Sequence, residues 1–379
     1  MLTGNRGYDN PNLRFPSRER WKGIDIIRLR SVSLGKRSKW RRALNFGNFL
    51  AVSTFRLLLM RRFEVVVALT SPPLISLLAA LFVKLKGGRF YFWVMDLNPD
   101  EAIAAGWLRN DSLAARLLNR MLNYSLCQAT QIIVLDRFME NRLKCRGVGR
   151  DRIAVVPPWS HDDAVAYSTE GRQAFRGQHG LSNKFVVMYS GNHSPCHPLD
   201  TLLQAAFELR KDIRLIFCFV GGGSEQEKVR RFAQQHGLTN IRCLPYQPLT
   251  ELSASLSAAD LHVVVMGNEF PGIVHPCKIY NILKIGTPTL YIGPDDSHIA
   301  DIAAEDRRSI FLVRHGDVQA VKQTVLNAAE RQTQPPSRIT LSGAEWFSKQ
   351  TLLPSLIRLI ERDTLQEAAL TNAATTESA

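Results

Sequence analysis

Short apolar runs recur along the chain, each followed by a polar or Gly/Pro turn and then by a stretch with helical spacing. They fall at Phe63–Leu69, Arg89–Met95, Gln131–Leu135 and Ile153–Val156. After a gap they resume at Phe185–Tyr189, Leu215–Val220, Ile241–Leu244, Leu261–Val265, Thr289–Ile292 and Ile310–Val313. Within these runs polar residues do not alternate with apolar ones, which is the mark of parallel strands buried on both faces beneath helices. The pattern predicts an α/β protein with doubly wound parallel sheets. The gap at 158–184, opening with Pro158-Trp159-Ser160-His161-Asp162-Asp163, predicts an interdomain linker. Leu352, Leu353, Leu356, Ile357 and Ile360 stand at helical spacings and predict a helix over 346–365. The small, polar end at 366–379 reads as a disordered tail.

One uncharged stretch, Val65 to Val83, is 19 residues long, close to the roughly 20 that a spanning helix needs. Thr70-Ser71-Pro72-Pro73 interrupts it, so a strand, a turn and a separate helix from Leu74 to Leu85 are expected, in a soluble chain. The polar start, Met1-Leu2-Thr3-Gly4-Asn5-Arg6, does not read as a signal peptide.

Charge adds a second feature. The 379 residues carry a formal net charge of +14, and residues 1–62 hold 15 Lys/Arg against Asp9, Glu19 and Asp25, so nearly all of the excess lies there. Lys36-Arg37-Ser38-Lys39-Trp40-Arg41-Arg42 is followed by Phe46, Phe49, Leu50, Phe55, Leu57, Leu58 and Leu59. Basic residues beside an apolar, aromatic-bearing helix suit an anionic lipid surface. Residues 14–62 are therefore expected to face a membrane, ahead of a merely solvated basic face or a nucleic-acid patch. Six cysteines without a Cys-x-x-Cys pair argue against a zinc ribbon and fit a reducing cytoplasm. No Asp-x-Asp motif occurs, and neither a bound metal nor a cofactor is implied.

Four segments are candidates for chemistry. The strand ending Val187-Met188-Tyr189 runs into Ser190-Gly191-Asn192-His193-Ser194-Pro195-Cys196-His197, with a helix expected from about Leu199. Backbone amides at such a turn suit a diphosphate, and the two histidines are placed to hydrogen-bond it; an ordinary strand–helix loop is the plainer alternative. Phe219-Val220-Gly221-Gly222-Gly223-Ser224 repeats the arrangement, its glycines leaving the backbone bare for close approach. Gln226 stands where a dinucleotide fingerprint needs its third glycine. In Pro276-Cys277-Lys278-Ile279-Tyr280-Asn281, Lys278 lies at a helix start, where the dipole disfavours a cation unless an anion shares the site. A solvated surface lysine is the alternative. Finally, Asp96-Leu97-Asn98-Pro99-Asp100 places two carboxylates just past a buried strand. Asp96 is suited to orient an acceptor hydroxyl or take its proton, and Asp100 to cap a helix.

Together these segments resemble the family 4 glycosyltransferases of the GT-B fold, nearest the branch that builds bacterial capsule, colanic-acid-like and O-antigen polysaccharides. Ser71-Pro72-Pro73-Leu74, Leu244-Pro245-Tyr246-Gln247-Pro248, Ala258-Ala259-Asp260 and Gly286-Thr287-Pro288 carry the likeness alongside the motifs above. The resemblance implies two facing Rossmann-like domains, 1–165 for the acceptor and 166–345 for a nucleotide-sugar donor, with the helix 346–365 returning to the first. It implies transfer with retention and without an essential metal, from a UDP- or GDP-sugar co-substrate to a lipid-linked or polysaccharide acceptor. The enzyme would lie on the cytoplasmic face of the cell membrane. By position Gly191 and Asn192 would line the diphosphate with His193 and the glycines Gly221, Gly222 and Gly223. His197 falls where many relatives have lysine, Lys278 would neutralise the leaving phosphate, and Tyr246 and Gln247 would sit near the base. Many relatives carry Glu-x7-Glu where this chain has Ile273 and Asn281; Asn281 can still bond ribose, but Ile273 cannot replace the first carboxylate. They also begin with a strand, a Gly-rich loop and a helix ahead of a segment like Met1-Leu2-Thr3-Gly4. A noncatalytic relative acting as a scaffold in polysaccharide assembly is the alternative function, and a nucleotide-sugar epimerase a more distant one.

Overall fold

The computed structural model describes residues 1–6, 13–30, 39–161, 164–305, 309–331 and 344–361. The expected tail at 366–379, Asp162-Asp163 of the expected linker and the side chains of the basic cluster 36–42 lie outside the described residues. The chain divides into two units in an interleaved way. The first comprises Met1–Pro99, Leu108–Ile133 and Arg146–Ala154; the second comprises Asp100–Trp107, Val134–Cys145 and the chain from Val155 onward.

The first unit holds two sheets. Strands β1 (Leu2–Gly4), β2 (Arg18–Trp21) and β3 (Ile24–Leu29) are ordered β1-β3-β2, with β1 parallel and β2 antiparallel to β3. The apolar pattern does not predict this sheet, and burial explains why. Asp25 and Arg28 interrupt β3 and only Leu29 is buried, so no uninterrupted apolar run marks it. The second sheet, β4 (Val65–Ala68), β5 (Arg89–Trp93), β6 (Gln131–Val134) and β7 (Ile153–Val155), follows the predicted runs in the order β4-β5-β6-β7. Phe90, Tyr91 and Phe92 of β5 are buried, as are Ile132 and Ile133 of β6. The helix Ile75–Lys86 starts just after the Pro pair and packs on Leu113–Gln128, since proline fits a first turn and cannot continue a strand ladder. Among the described residues no helix is long and apolar enough to cross a membrane.

The second unit is built on a six-stranded parallel sheet ordered β10-β9-β8-β11-β12-β13. Its strands are β8 (Phe185–Asn192), β9 (Leu215–Gly222), β10 (Ile241–Leu244), β11 (Leu261–Val265), β12 (Thr289–Ile292) and β13 (Ile310–Val313). Successive side chains of a strand point to opposite faces, and both faces are apolar. Val187, Tyr189, Phe217 and Phe219 pack with Leu202, Leu203, Val229 and Val321 on one side. Val186, Met188, Ile216 and Cys218 pack with Phe175 and Leu181 on the other. Asp260, with its side chain 1% exposed, is an ion-pair partner of Arg172 and Arg176 and accepts the Val186 N–H at 2.7 Å. That fastens the helix Thr169–Gln178 to the sheet. The chain leaves β8 toward β9 and β10, then returns to lay β11 on β8's other side, so the strand order reverses there. Ligands dock beyond the carboxyl ends of strands at such a reversal. At the C-terminal end a 3₁₀ turn, Ala344–Phe347, precedes a helix over 349–361.

Candidate functional site

At the carboxyl end of β8 the backbone turns at Gly191, with φ +132°. A Cβ on Gly191 would lie 3.2 Å from Cε and Nζ of Lys278, so the bare backbone makes room for that lysine. Lys278 is the first residue of the helix Lys278–Ile285 that follows β11. Its stem is partly exposed, but its Nζ is buried and has no hydrogen-bond partner. The ammonium rests 3.7 Å from the centroid of the Tyr189 ring, a face that attracts a cation. Burial pulls the Lys278 pKa down to about 7, because a charge out of water is costly.

Two histidines share this neighbourhood. His193 is fully buried, its Nδ1 3.0 Å from the Gly191 carbonyl oxygen and its ring edge-on to Tyr189. The Nδ1–H donates there, which leaves Nε2 as a buried lone pair without a partner. His197 is hydrogen-bonded to the Val265 backbone, and its Nδ1 is likewise unpartnered. Burial first, then the charge of Lys278, lowers His193 to about 4 and His197 to about 3. Both rings are neutral at physiological pH. They offer acceptors suited to hydroxyl groups, and Lys278, when protonated, offers the positive charge.

The glycines of β9 have a different neighbour from the one their sequence invites. Cβ atoms on Gly221 and Gly223, both at φ +134°, would stand 2.0 Å from the Gly191 oxygen and 2.2 Å from the His193 oxygen. What approaches their backbone is the β8 loop. The His193 N–H donates to the Gly222 oxygen at 2.8 Å, and the Glu225 N–H donates to the His193 oxygen at 3.0 Å. Tyr246 covers Gly222 with its ring and donates its hydroxyl to the Gly222 oxygen at 3.0 Å, with Asn192 Oδ1 3.5 Å away. The structure therefore brings Gly191, Asn192, His193, His197, the glycines Gly221, Gly222 and Gly223, Tyr246 and Lys278 together.

Three other predicted residues stand differently. Asn281 lies one turn beyond Lys278 on the same helix and accepts the His161 N–H at Oδ1, 2.9 Å. Gln247 turns back to donate to the Pro245 oxygen at 3.0 Å. Asp96 belongs to the first unit, where its N–H donates to Thr70 Oγ1 at 3.3 Å just beyond β5. Asp100 is the first residue of the short helix Asp100–Ala104. Ile273, where the resemblance would imply a carboxylate, is 3% exposed.

Sequence reasoning overlooks Tyr189 as the platform beneath Lys278, although it lies in the quoted motif. It also overlooks a buried group of Asp136, His275 and His298, whose ligand-type atoms all lie within 4.8 Å of one another. Among the described residues, these three could hold a metal. The nearest two are 23 positions apart in the chain (298 − 275), so no local motif announces them.

The family described as "Glycosyl transferases group 1" matches residues 171–340, and "Glycosyl transferase 4-like domain" matches residues 2–159. Among solved structures, sucrose-phosphate synthase from Thermosynechococcus elongatus superposes with a TM-score of 0.70 at 15% identity, covering 97% of this chain and 89% of that one. HepE of Anabaena in complex with UDP-glucose superposes at 0.66 with 15% identity, covering 91% and 86%. At such identities these likenesses define the fold, and the protein has the GT-B fold. Escherichia coli K12 WcaI, whose name assigns it to colanic acid biosynthesis as a glycosyl transferase, is 30% identical over 259 residues, 66% of this chain and 62% of its own length. The chain is related to the family 4-like glycosyltransferases, on their colanic-acid and O-antigen branch. The aligned stretch spans about three fifths of the length of the curated relatives it matches.

Proposed function

We propose that the protein is a retaining glycosyltransferase that moves a sugar from a nucleotide-diphosphate sugar to a lipid-linked or polysaccharide acceptor. The observation that carries this reading is the buried Lys278 ammonium without a partner, held against Gly191 at the strand reversal. Breaking a sugar–diphosphate bond leaves negative charge on the departing phosphate, and a preorganised cation out of water stabilises it most. Lys278 takes that role, with Gly191 and Asn192 beside the diphosphate and the lone pairs of His193 and His197 for hydroxyl groups of the donor. Tyr246 and Gln247 border the base and Asn281 the ribose. Asp96 serves the acceptor hydroxyl. UDP is favoured over GDP by the UDP-glucose named with HepE, a protein of the same fold.

The test is thermal stabilisation of the whole chain by UDP and by GDP, with Lys278→Ala alongside. A nucleotide at a hundredfold its dissociation constant adds roughly 2.7 kcal/mol, which is visible as a shifted melt. A shift with one nucleotide, weakened in Lys278→Ala, is expected. A folded protein that shifts with neither would overturn the donor reading and favour the noncatalytic alternative, which Ile273 in place of a carboxylate already suits.

A further inference from the structure

We infer that Asp136, His275 and Tyr280 form a positioning relay that fixes the rotation of the Lys278–Ile285 helix and thereby the place of the Lys278 side chain. The inference rests on the donor-site reading only for its consequence in binding.

The relay is continuous. Asp136 Oδ1 accepts the Met139 N–H at 2.7 Å, capping the helix Arg137–Cys145, and Oδ2 lies 2.7 Å from His275 Nδ1. A carboxylate only accepts, so Nδ1 carries the proton, and Nε2 then accepts the Tyr280 hydroxyl at 2.6 Å. All three residues are buried.

The loop bearing His275 is seated by two further contacts on the same helix. Arg142 Nε donates to the Pro271 oxygen at 2.8 Å. Gly272, at φ +71°, packs so closely that a Cβ would be 2.6 Å from the Phe138 carbonyl. Tyr280 stands two residues after Lys278, and two helical steps turn a side chain by about 200°. Tyr280 therefore grips the side of the helix opposite the lysine, where Phe347 also touches it at 4.9 Å between ring centroids. The helix is also seated by its buried Ile279, Ile282, Leu283 and Ile285 and by Asn281, which accepts the His161 N–H, so the relay adds a directional polar contact to an apolar seat.

Asp136, His275 and His298 also have the composition of a metal site, but their geometry favours the relay. The two imidazoles stack at 3.7 Å between centroids with 19° between planes. In-plane lone pairs of parallel rings do not converge on one ion as tetrahedral ligation requires. Both His275 nitrogens are already engaged.

Three variants of the 379-residue chain test the relay, their lysine titrations followed without nucleotide. Lysine side-chain NMR follows the titration of Lys278 itself, so the result does not depend on donor binding. Tyr280→Phe deletes one hydroxyl and His275→Gln breaks both links. Each is expected to move the Lys278 midpoint up from about 7 toward the ordinary lysine value. Tyr280→Phe is also expected to weaken UDP binding about tenfold, the effect of one lost hydrogen bond, and His275→Gln by at least as much. Asp136→Asn presents a donor to His275 Nδ1, and long-range ¹H–¹⁵N spectra should show the ring switching to its Nε2–H tautomer. A Lys278 midpoint unmoved in both Tyr280→Phe and His275→Gln would overturn the relay; if His275→Gln fails to fold, Tyr280→Phe decides. An unswitched tautomer would remove Asp136 from it. Tight Zn²⁺ binding by calorimetry that is lost in His298→Ala would replace it with a metal site. A wild-type chain that ignores UDP would sink the donor reading and leave the NMR result to judge the relay.

Discussion

By our proposal Lys278 is the residue on which the chemistry turns, and its setting makes a pH dependence calculable. Without ligand, burial depresses its pKa to about 7, so above that pH the free site is mostly uncharged. A bound diphosphate favours the charged form and raises the pKa. Binding above pH 7 therefore takes up a proton, and UDP affinity should be fullest below pH 7. It should then fall as pH rises, by at most about tenfold per unit for one proton. Calorimetry between pH 7 and 9 in buffers of different ionisation enthalpy measures both the affinity and the proton. Lys278→Ala should flatten the profile. A lysine above an aromatic face also explains why the first turn of this helix tolerates a cation: the ring, and by our proposal the phosphate, offset the unfavourable dipole.

At the scale of elements, the ten predicted strands all form, because uninterrupted Val, Ile, Phe and Leu runs report burial on two faces directly. Strands β1 to β3 escape the pattern since their sheet is at most half-buried apart from Leu29 and carries charges in the strands. Gly191 and Lys278 are legible as parts of local motifs, the one from its turn and the other from its conflict with a dipole. The grouping of Asp136, His275 and His298 is not, because tertiary packing alone brings them together. Asp260 lies between these cases. Its motif is visible in the sequence, but its work, joining Arg172, Arg176 and the Val186 amide, is not. Removing one partner of a buried pair leaves charge uncompensated, so Asp260→Ala should cost about 3–5 kcal/mol, read by urea denaturation. An unchanged midpoint would mean that the two arginines find other partners.

For the whole molecule, the basic excess of residues 1–62 meets an apolar surface on the helix Lys39–Leu58 and the turn after it. Leu44, Phe55, Leu58 and Leu59 are each more than half exposed. We propose that this surface lies on anionic lipid, which would bring the enzyme to a lipid-carried acceptor at the cytoplasmic membrane face. Binding to vesicles containing phosphatidylglycerol at low salt, and release at high salt, is the expected outcome of cosedimentation. Binding absent, or indifferent to salt, would remove the membrane from the scheme, since screening weakens attraction between exposed charges.

The reversal of strand order at β8 has a further consequence, for biogenesis. β8 pairs with β9, the next strand in the chain, but the neighbour on its other side, β11, starts only at Leu261. A chain made from its N-terminus therefore holds β8 with one open edge, apolar from Phe185 to Tyr189, while the intervening residues are still being synthesised. Pairing between strands far apart in sequence is slow, and an open apolar edge is a template for other chains. The strand that carries the glycine turn of the proposed donor site is thus the one most open to misassembly on the ribosome, and slower, cooler synthesis should favour soluble protein.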